Sequence, residues 1–247
     1  MHESVSISKV CILAGKIMLE SGAETYRVED TMNRIAAAYG LADAQSYATP
    51  TGINFSTDVA ESTTFIRISK RSTDLHKIAN VNDVSRKIAA GSVDLVDALA
   101  MLNKVDHAHL TFPGWMQIVA AAFVSGSFTI MFGGTWPDYI PTFVVGGIGY
   151  AAMLSCDRLV EIRFIAEFFA SLVIGLLAFG FIYSGLGVEL DKIIIGAVMP
   201  LVPGLHITNA VRDLMSGHLV SGVSKGVEAL LTAVAIGAGI AVVFGIL

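Results

Sequence analysis

Ile193-Ile-Ile-Gly-Ala-Val-Met-Pro200-Leu-Val-Pro203-Gly204-Leu205 is the stretch that decides how this 247-residue chain folds. It is apolar enough to lie at membrane depth, yet two prolines and a glycine interrupt it. Each proline removes a backbone donor and frees the carbonyl one turn earlier. An unpaired backbone group in hydrocarbon costs several kcal/mol, so such a break survives only where protein buries it or a wet cavity receives it. The next segment, Leu205 to Ser216, reads Leu-His-Ile-Thr-Asn-Ala-Val-Arg-Asp-Leu-Met-Ser. At about 100° per residue, a helix puts His206, Thr208, Asn209, Arg212, Asp213 and Ser216 on one side. Ile207, Ala210, Val211, Leu214 and Met215 take the other.

The rest of the chain agrees with a membrane setting. Hydrophobic residues make up 54% and charged residues 15% of the sequence, too apolar for an ordinary soluble domain. Eleven of the 16 Lys and Arg precede Trp115, as do 13 of the 21 acids, whereas 19 of the 24 glycines lie from Gly114 onward. The expected division is therefore a polar domain over residues 1–112 and a Gly-rich transmembrane domain over 113–247. A net charge of −5 offers no basic surface, so nucleic acid is not an expected partner. Cys11 and Cys156 fall one in each domain, and no metal or cofactor set is evident. The polar opening lacks an early apolar core, so no signal peptide is expected.

Five stretches approach the roughly 20 apolar residues that cross a bilayer. They are 115–132, 139–155 (the shortest), 165–184, 192–209 across the break, and 228–247. The loop 156–164 carries Arg158 and Arg163, and 210–227 carries Arg212 and Lys225, while the alternate side holds only Lys192. Excess positive charge stays in the cytoplasm, which predicts a plasma (inner) membrane protein, multi-pass, with the N-terminus cytoplasmic and the C-terminus outside. An odd number of spans without an internal repeat suggests one half of an inverted-repeat transporter, with a separate small membrane subunit or a second copy as the other half.

Periodicity places helices at Val5–Glu20 and Thr25–Tyr39, with Ser21 and Glu24 set to form a capping box and Gly40 suited to the second helix's end. Short strands are expected at Gln45–Ala48, Ile53–Ser56 and Thr63–Ser69, then helices at Asp74–Ala90 and Val93–Lys104 and a linker from His107 to Pro113. The fold class is thus an α-helical multi-span membrane domain of about five helices, one broken by Pro-x-x-Pro-Gly, preceded by a small cytoplasmic α/β domain.

The chemistry centres on the break. The Pro200–Gly204 break is either a simple kink, as one proline alone would be, or, with Pro200, Pro203 and Gly204 followed at once by a polar helical face, the start of a solute site. A helix lying on the bilayer surface needs a basic polar face, whereas here Arg212 is balanced by Asp213 beside neutral hydrogen bonders. Arg212 and Asp213 diverge by about 100°. Arg212 can hold a carboxylate and Asp213 a proton or an ammonium group, or both can anchor the helix at the membrane edge. His206 and Asn209 share the face, His206 as a proton carrier or a packing residue. Glu167 is either an intramembrane acid or an edge residue near Arg163. The glycines at 146, 147, 149, 237 and 239 suit close helix packing. His2, His76, His107 and His109 lack metal-ligand spacing, and no catalytic set stands out. The polar turn Ser21-Gly-Ala-Glu-Thr-Tyr-Arg27 is either a binding turn or a capped helix junction.

Three segments resemble the threonine/serine exporter family: Ala14-Gly-Lys-Ile-Met-Leu-Glu-Ser-Gly-Ala-Glu-Thr-Tyr-Arg-Val-Glu29; Phe132-Gly-Gly-Thr-Trp-Pro-Asp138; and Pro203-Gly204 with Asn209-Ala-Val-Arg-Asp213, Ser216-Gly217 and Ser221-Gly222. The resemblance implies a cytoplasmic domain before hydrophobic spans and export driven by the proton motive force. The family's long form carries a second set of spans; at 247 residues this chain is similar to the large subunit of the split form, which includes a bacterial succinate-exporting pair. The expected function is secondary export of a small carboxylate-bearing metabolite, a threonine/serine-type amino acid or a succinate-type dicarboxylate, with no enzyme chemistry. Pro200, Pro203, Gly204, His206, Asn209, Arg212 and Asp213 are the expected substrate and transport residues. The rival readings are a membrane-anchored sensor or enzyme whose N-terminal domain acts, and a passive channel.

Overall fold

The computed structural model describes residues 6–58, 61–108, 111–160 and 163–246; Val5, His2, His109, Leu247 and the Arg163 side chain lie outside them. The chain divides into two compact units, Met1–Thr111 with His206–Gly226, and Phe112–Leu205 with Val227–Leu247. This differs from a single boundary at 112/113, because residues 206–226 group with the first unit. They also are not a loop. Helix continues to Met215 and resumes at Leu219.

The first unit opens with α1 (Ile7–Glu20) and α2 (Thr25–Ala38), then the antiparallel strands β1 (Gln45–Thr49), β2 (Gly52–Ser56) and β3 (Thr64–Arg67), and then α3 (Leu75–Ala89) and α4 (Leu95–His107). Sheet order is β1-β2-β3, with Tyr47 opposite Asn54 and Asn54 opposite Phe65. Alternation sends Ile53 and Phe55 into the core with Val10, Ile17, Met18, Met32, Ile35 and Leu102, and leaves Tyr47 and Phe65 exposed. Gly40 lies just past α2 at φ +89°, where only glycine is unstrained, and Leu41 N–H closes back on Ala36 O at 3.0 Å.

One local expectation fails. Ser21 and Glu24 form no capping box: Ser21 ends α1, its N–H donating to Ile17 O, and Glu24 precedes α2 without a capping bond from its side chain. The backbone donor of Thr25 goes instead to Asp213, 188 residues away.

The second unit contains α5 (Gly114–Met131), α6 (Trp136–Val160), α7 (Arg163–Tyr183) and α8 (Leu190–Val198), the last running into a tight 3-10 turn at Met199–Leu201. Two further helices cross between units along the chain, α9 (Gly204–Met215) and α10 (Leu219–Ile246). Four helices, α5, α6, α10 and the segment Phe164–Tyr183, are long and apolar enough to cross a membrane; counting Leu190–Leu201 with Gly204–Met215 as one bent span makes five. The expected shortest span is in fact 25 residues, because Trp136–Asp138 and Cys156–Val160 join the helix despite their polarity.

Small residues set the spacing of the second unit. A Cβ on Gly146 would lie 2.0 Å from Ser125 Oγ, one on Gly196 2.0 Å from Thr129 Oγ1, and one on Gly239 2.1 Å from Ser171 Oγ. These glycines let α5, α6, α8 and the α7–α10 pair approach to backbone contact. Gly149 likewise seats Ile174, but Gly237 meets nothing within 4 Å, so the packing role does not extend to it. Glu167 is buried, 2% exposed, on the face of α7 that carries Ala170, Ser171 and Ile174.

Candidate functional site

The break takes its shape from its two prolines. Pro203 disfavours a helical residue before it, and Val202 is extended (φ −61°, ψ 129°). The helix therefore stops at the 3-10 turn, and α9 begins anew at Gly204 with Gly204 N–H bonded to Val202 O at 2.8 Å. Pro203 is buried and Pro200 half-buried, while Gly204 is exposed. Gly204, His206 and Thr208 each take part in polar or electrostatic contacts.

Beyond the break, the polar face of α9 meets the α1–α2 turn within the first unit. Asn209 Nδ2 donates to Gly22 O at 2.9 Å. Arg212 Nη1 donates to Glu24 Oε1 at 2.6 Å, and Glu24 also holds Arg27 at 3.2 Å. Asp213 is fully buried. Its Oδ1 accepts from Thr25 N–H (2.9 Å), and its Oδ2 accepts from Thr25 Oγ1 (3.0 Å) and Lys225 Nζ (2.7 Å). Lys225, itself 5% exposed, spends its other donors on Ala23 O (3.2 Å) and Thr25 Oγ1 (3.3 Å). A buried ion pair is tolerable only when such bonds satisfy both partners, and here they do.

A second contact flanks the first. His218 Nε2 lies 2.9 Å from Glu29 Oε2, Glu29 Oε1 accepts Ala48 N–H at 2.7 Å, and Ser216 Oγ donates to Asp213 O at 3.1 Å. Gly217 at φ +87° turns the chain so that His218 N–H reaches Asp213 O. The α1–α2 turn and the α9–α10 corner thus form one clasp.

This placement bears on the expected transport residues. Arg212 does hold a carboxylate, but that of Glu24; Asp213 holds an ammonium group, but that of Lys225. Arg212 keeps 56% of its side chain exposed, whereas Asp213 has no exposed surface. Sequence reasoning offered Glu24 and Thr25 only within a possible binding turn and Lys225 only as a loop base, gave Glu29 no partner, and passed over His218. The available signal was a lysine inside an otherwise apolar helix, which needs a buried acid as its partner.

Burial pushes the Glu24 carboxyl up, but its own backbone N–H and the guanidinium groups of Arg212 and Arg27 outweigh this and hold it below the usual carboxylate range. A depressed folded-state pKa contributes stability that is complete above the unfolded value of about 4.3 and vanishes as pH falls through the folded value. Thermal unfolding of wild type and Glu24→Gln should therefore differ most near neutral pH and converge as the medium is acidified below about pH 4. A gap that stays constant to lower pH would deny Glu24 this role.

The second unit has its own carboxylate joint. Asp138 is fully buried in the Phe132–Asp138 segment. Oδ2 accepts from Thr135 Oγ1 (2.5 Å) and Thr135 N–H (3.3 Å), while Oδ1 accepts from Val188 N–H (2.7 Å) and Glu189 N–H (3.1 Å). It ties the α5–α6 turn to the entry of α8. Asp138→Ala strands these donors and should cost about 2–3 kcal/mol in thermal or denaturant unfolding. Asp138→Asn keeps one acceptor oxygen and should lose about half as much.

Among the described residues no group of three His, Cys, Asp or Glu is placed to hold a metal.

Residues 9–247 match the family model described as "Putative threonine/serine exporter". The chain is 24% identical over 233 residues to the "Probable threonine/serine exporter" of Mycobacterium tuberculosis, covering 93% of this chain and 44% of that protein. It is 25% identical over 238 residues to the "Probable succinate transporter subunit YjjP" of Klebsiella aerogenes, covering 93% of this chain and 90% of the other. It is 22% identical over 253 residues to the "Threonine/serine exporter" of Corynebacterium glutamicum, covering 97% of this chain and 51% of that one. The chain thus spans about half the length of the two exporters and most of the transporter subunit. No solved structure matches.

Proposed function

The chain belongs to the threonine/serine exporter family, and from that premise we propose that it exports a small carboxylate-bearing metabolite as one half of a two-part secondary transporter driven by the proton motive force. The observation that carries this reading is the Pro200–Gly204 break. It leaves an unwound backbone and a fresh helix start inside a candidate span, where the positive end of α9 suits a substrate carboxylate. In this reading Pro200, Pro203 and Gly204 shape the passage, and His206 and Asn209 line the polar approach. Arg212 exchanges Glu24 for the solute's carboxylate. Asp213 holds α9 in register while paired and takes a proton when Lys225 lets go. The N-terminus is cytoplasmic, which keeps Lys and Arg of the clasp on the inner side.

Similarity to a protein named as a transporter subunit, at nearly full length, supports a separate membrane partner. The likeness to exporters of threonine and serine and to a succinate transporter subunit leaves two substrate classes. Both present a carboxylate to Arg212. Efflux from cells preloaded with labelled threonine, serine or succinate, with the chain alone and with a co-expressed small membrane partner, separates them. Efflux of one solute that stops when the proton gradient is collapsed is the expected result. Absence of efflux for all three, with insertion verified and the partner present, would overturn the reading.

A further inference from the structure

A histidine fastens the corner between α9 and α10 to α2. His218 Nε2 lies 2.9 Å from Glu29 Oε2, across 189 residues of chain, and both side chains are partly buried, 21% and 18% exposed. We propose that this contact is a pH-operated latch: protonated His218 fastens the corner to α2, and neutral His218 lets it loosen.

The count of hydrogens points to the charged form. Ser216 Oγ has one hydrogen and stands 3.1 Å from Asp213 O and 3.2 Å from His218 Nδ1. Asp213 O only accepts, so the hydroxyl serves it with that hydrogen. Nδ1 must then donate to Ser216 Oγ while Nε2 donates to Glu29. Both ring nitrogens donate only in the imidazolium. A neutral ring meets the same three contacts with one hydrogen too few, and its bond to Glu29 loses the assistance of charge. The geometry is set in advance on both sides. Glu29 Oε1 accepts Ala48 N–H at 2.7 Å, which aims Oε2 at the corner, and Gly217 at φ +87° turns His218 toward it.

The other charges on the surrounding elements are already paired. Asp213 of α9 holds Lys225 of α10, and Arg212 of α9 holds Glu24. Along α2, Arg27 pairs with Glu24 and Arg34 with Asp30. From β1, Ser46 and Ala48 reach Glu29, and neither is charged. The ring also sits between two helix ends of opposite sign, the carbonyl end of α9 and the amide end of α10, which offset each other. Glu29 is thus the charge that tells the two forms of His218 apart. Carboxylates ordinarily ionise near pH 4.3 and imidazoles lose their proton near about 6.5, so the latch is closed between these values and opens as pH rises further. Ser216 Oγ and His218 N–H both end on Asp213 O, so the latch bears on the residue that grips Thr25 and Lys225.

A double-mutant cycle on the full chain in detergent tests the latch, with His218→Gln, Glu29→Gln and the two combined. The first substitution keeps an N–H for Glu29, and the second keeps an oxygen for Ala48 N–H, so what each removes is charge. Their effects on melting temperature should be non-additive by about 2–4 °C near pH 5.5, the size of one partly buried charge pair. Near pH 8 they should be additive, because the imidazole is then neutral. Deuterium exchange of residues 212–222 in the wild type, corrected for the intrinsic effect of pH, should slow on acidification between the same two conditions. That measurement needs no substitution, so it stands even if a variant fails to fold. Additivity at both pH values, non-additivity that grows toward alkaline pH, or wild-type exchange that does not slow in acid would overturn the latch. None of these readouts involves export, so the outcome is separate from the function proposed above.

Discussion

Asp213→Ala will destabilise the first unit by about 3–5 kcal/mol, the usual consequence of removing one partner of a buried ion pair. The substitution leaves the Lys225 ammonium group facing only Ala23 O and Thr25 Oγ1 in a site that excludes water. It also strips the first backbone donor of α2 of its acceptor. These two effects can be separated. Replacing both partners, Asp213→Leu with Lys225→Met, removes the stranded charge and should recover all but the missing helix cap, about 1 kcal/mol. Lys225→Ala should fall between, since Thr25 N–H and Oγ1 still donate to the remaining carboxylate. Denaturant unfolding of the purified protein checks the series. An Asp213→Ala variant within 1 kcal/mol of wild type would show that the pair is not the keystone of the clasp.

If the chain exports as proposed, Pro200→Ala with Pro203→Ala will reduce that export to the background of cells lacking the protein, while insertion continues. Each proline in a helix interior disfavours the helix by about 3 kcal/mol, and each alanine removes that penalty and restores a donor. Val202 is then no longer held extended, and α8 can run on through the 3-10 turn toward α9. A straightened helix no longer presents the extended residue Val202 or a helix start at Gly204. The labelled-solute efflux assay reads the effect, with membrane abundance measured alongside. Wild-type efflux from the double variant would remove the break from the transport mechanism and favour the sensor reading.

Much of the fold was legible because its signals are local. The helices of the first unit follow from apolar residues three and four apart, and the three strands from alternation between turn residues; both match within a few residues. The break announced itself through proline chemistry alone. The clasp did not, because nothing periodic links Thr25 to Asp213. The polar face of α9 looks the same in sequence whether it awaits a solute or grips a turn. Only position decides, and the complementary signs of Glu24 with Arg212 and Asp213 with Lys225 were separated by too much chain to be paired by inspection. The capping box failed for a local reason: Ser21 and Glu24 had the right spacing, but α1 runs on to Ser21, whose N–H bonds Ile17 O, and α2 starts only after Glu24. Residues 139–155 were drawn short because hydropathy undervalues Asp138, whose charge is fully satisfied inside the helix start.

The reach of Asp213 also sets a timetable for biosynthesis. Its carboxylate completes the start of α2 from 188 residues downstream. At a ribosomal pace of about 5–20 residues per second, roughly 10–40 s pass between the emergence of Thr25 and that of its acceptor. Throughout that interval the growing N-terminal segment has an open helix end, and Lys225 arrives later still. The start of α2 is therefore completed only on delivery of residues 206–226, after most of the membrane segments have already been synthesised, although the core from Val10 to Val105 is in hand long before.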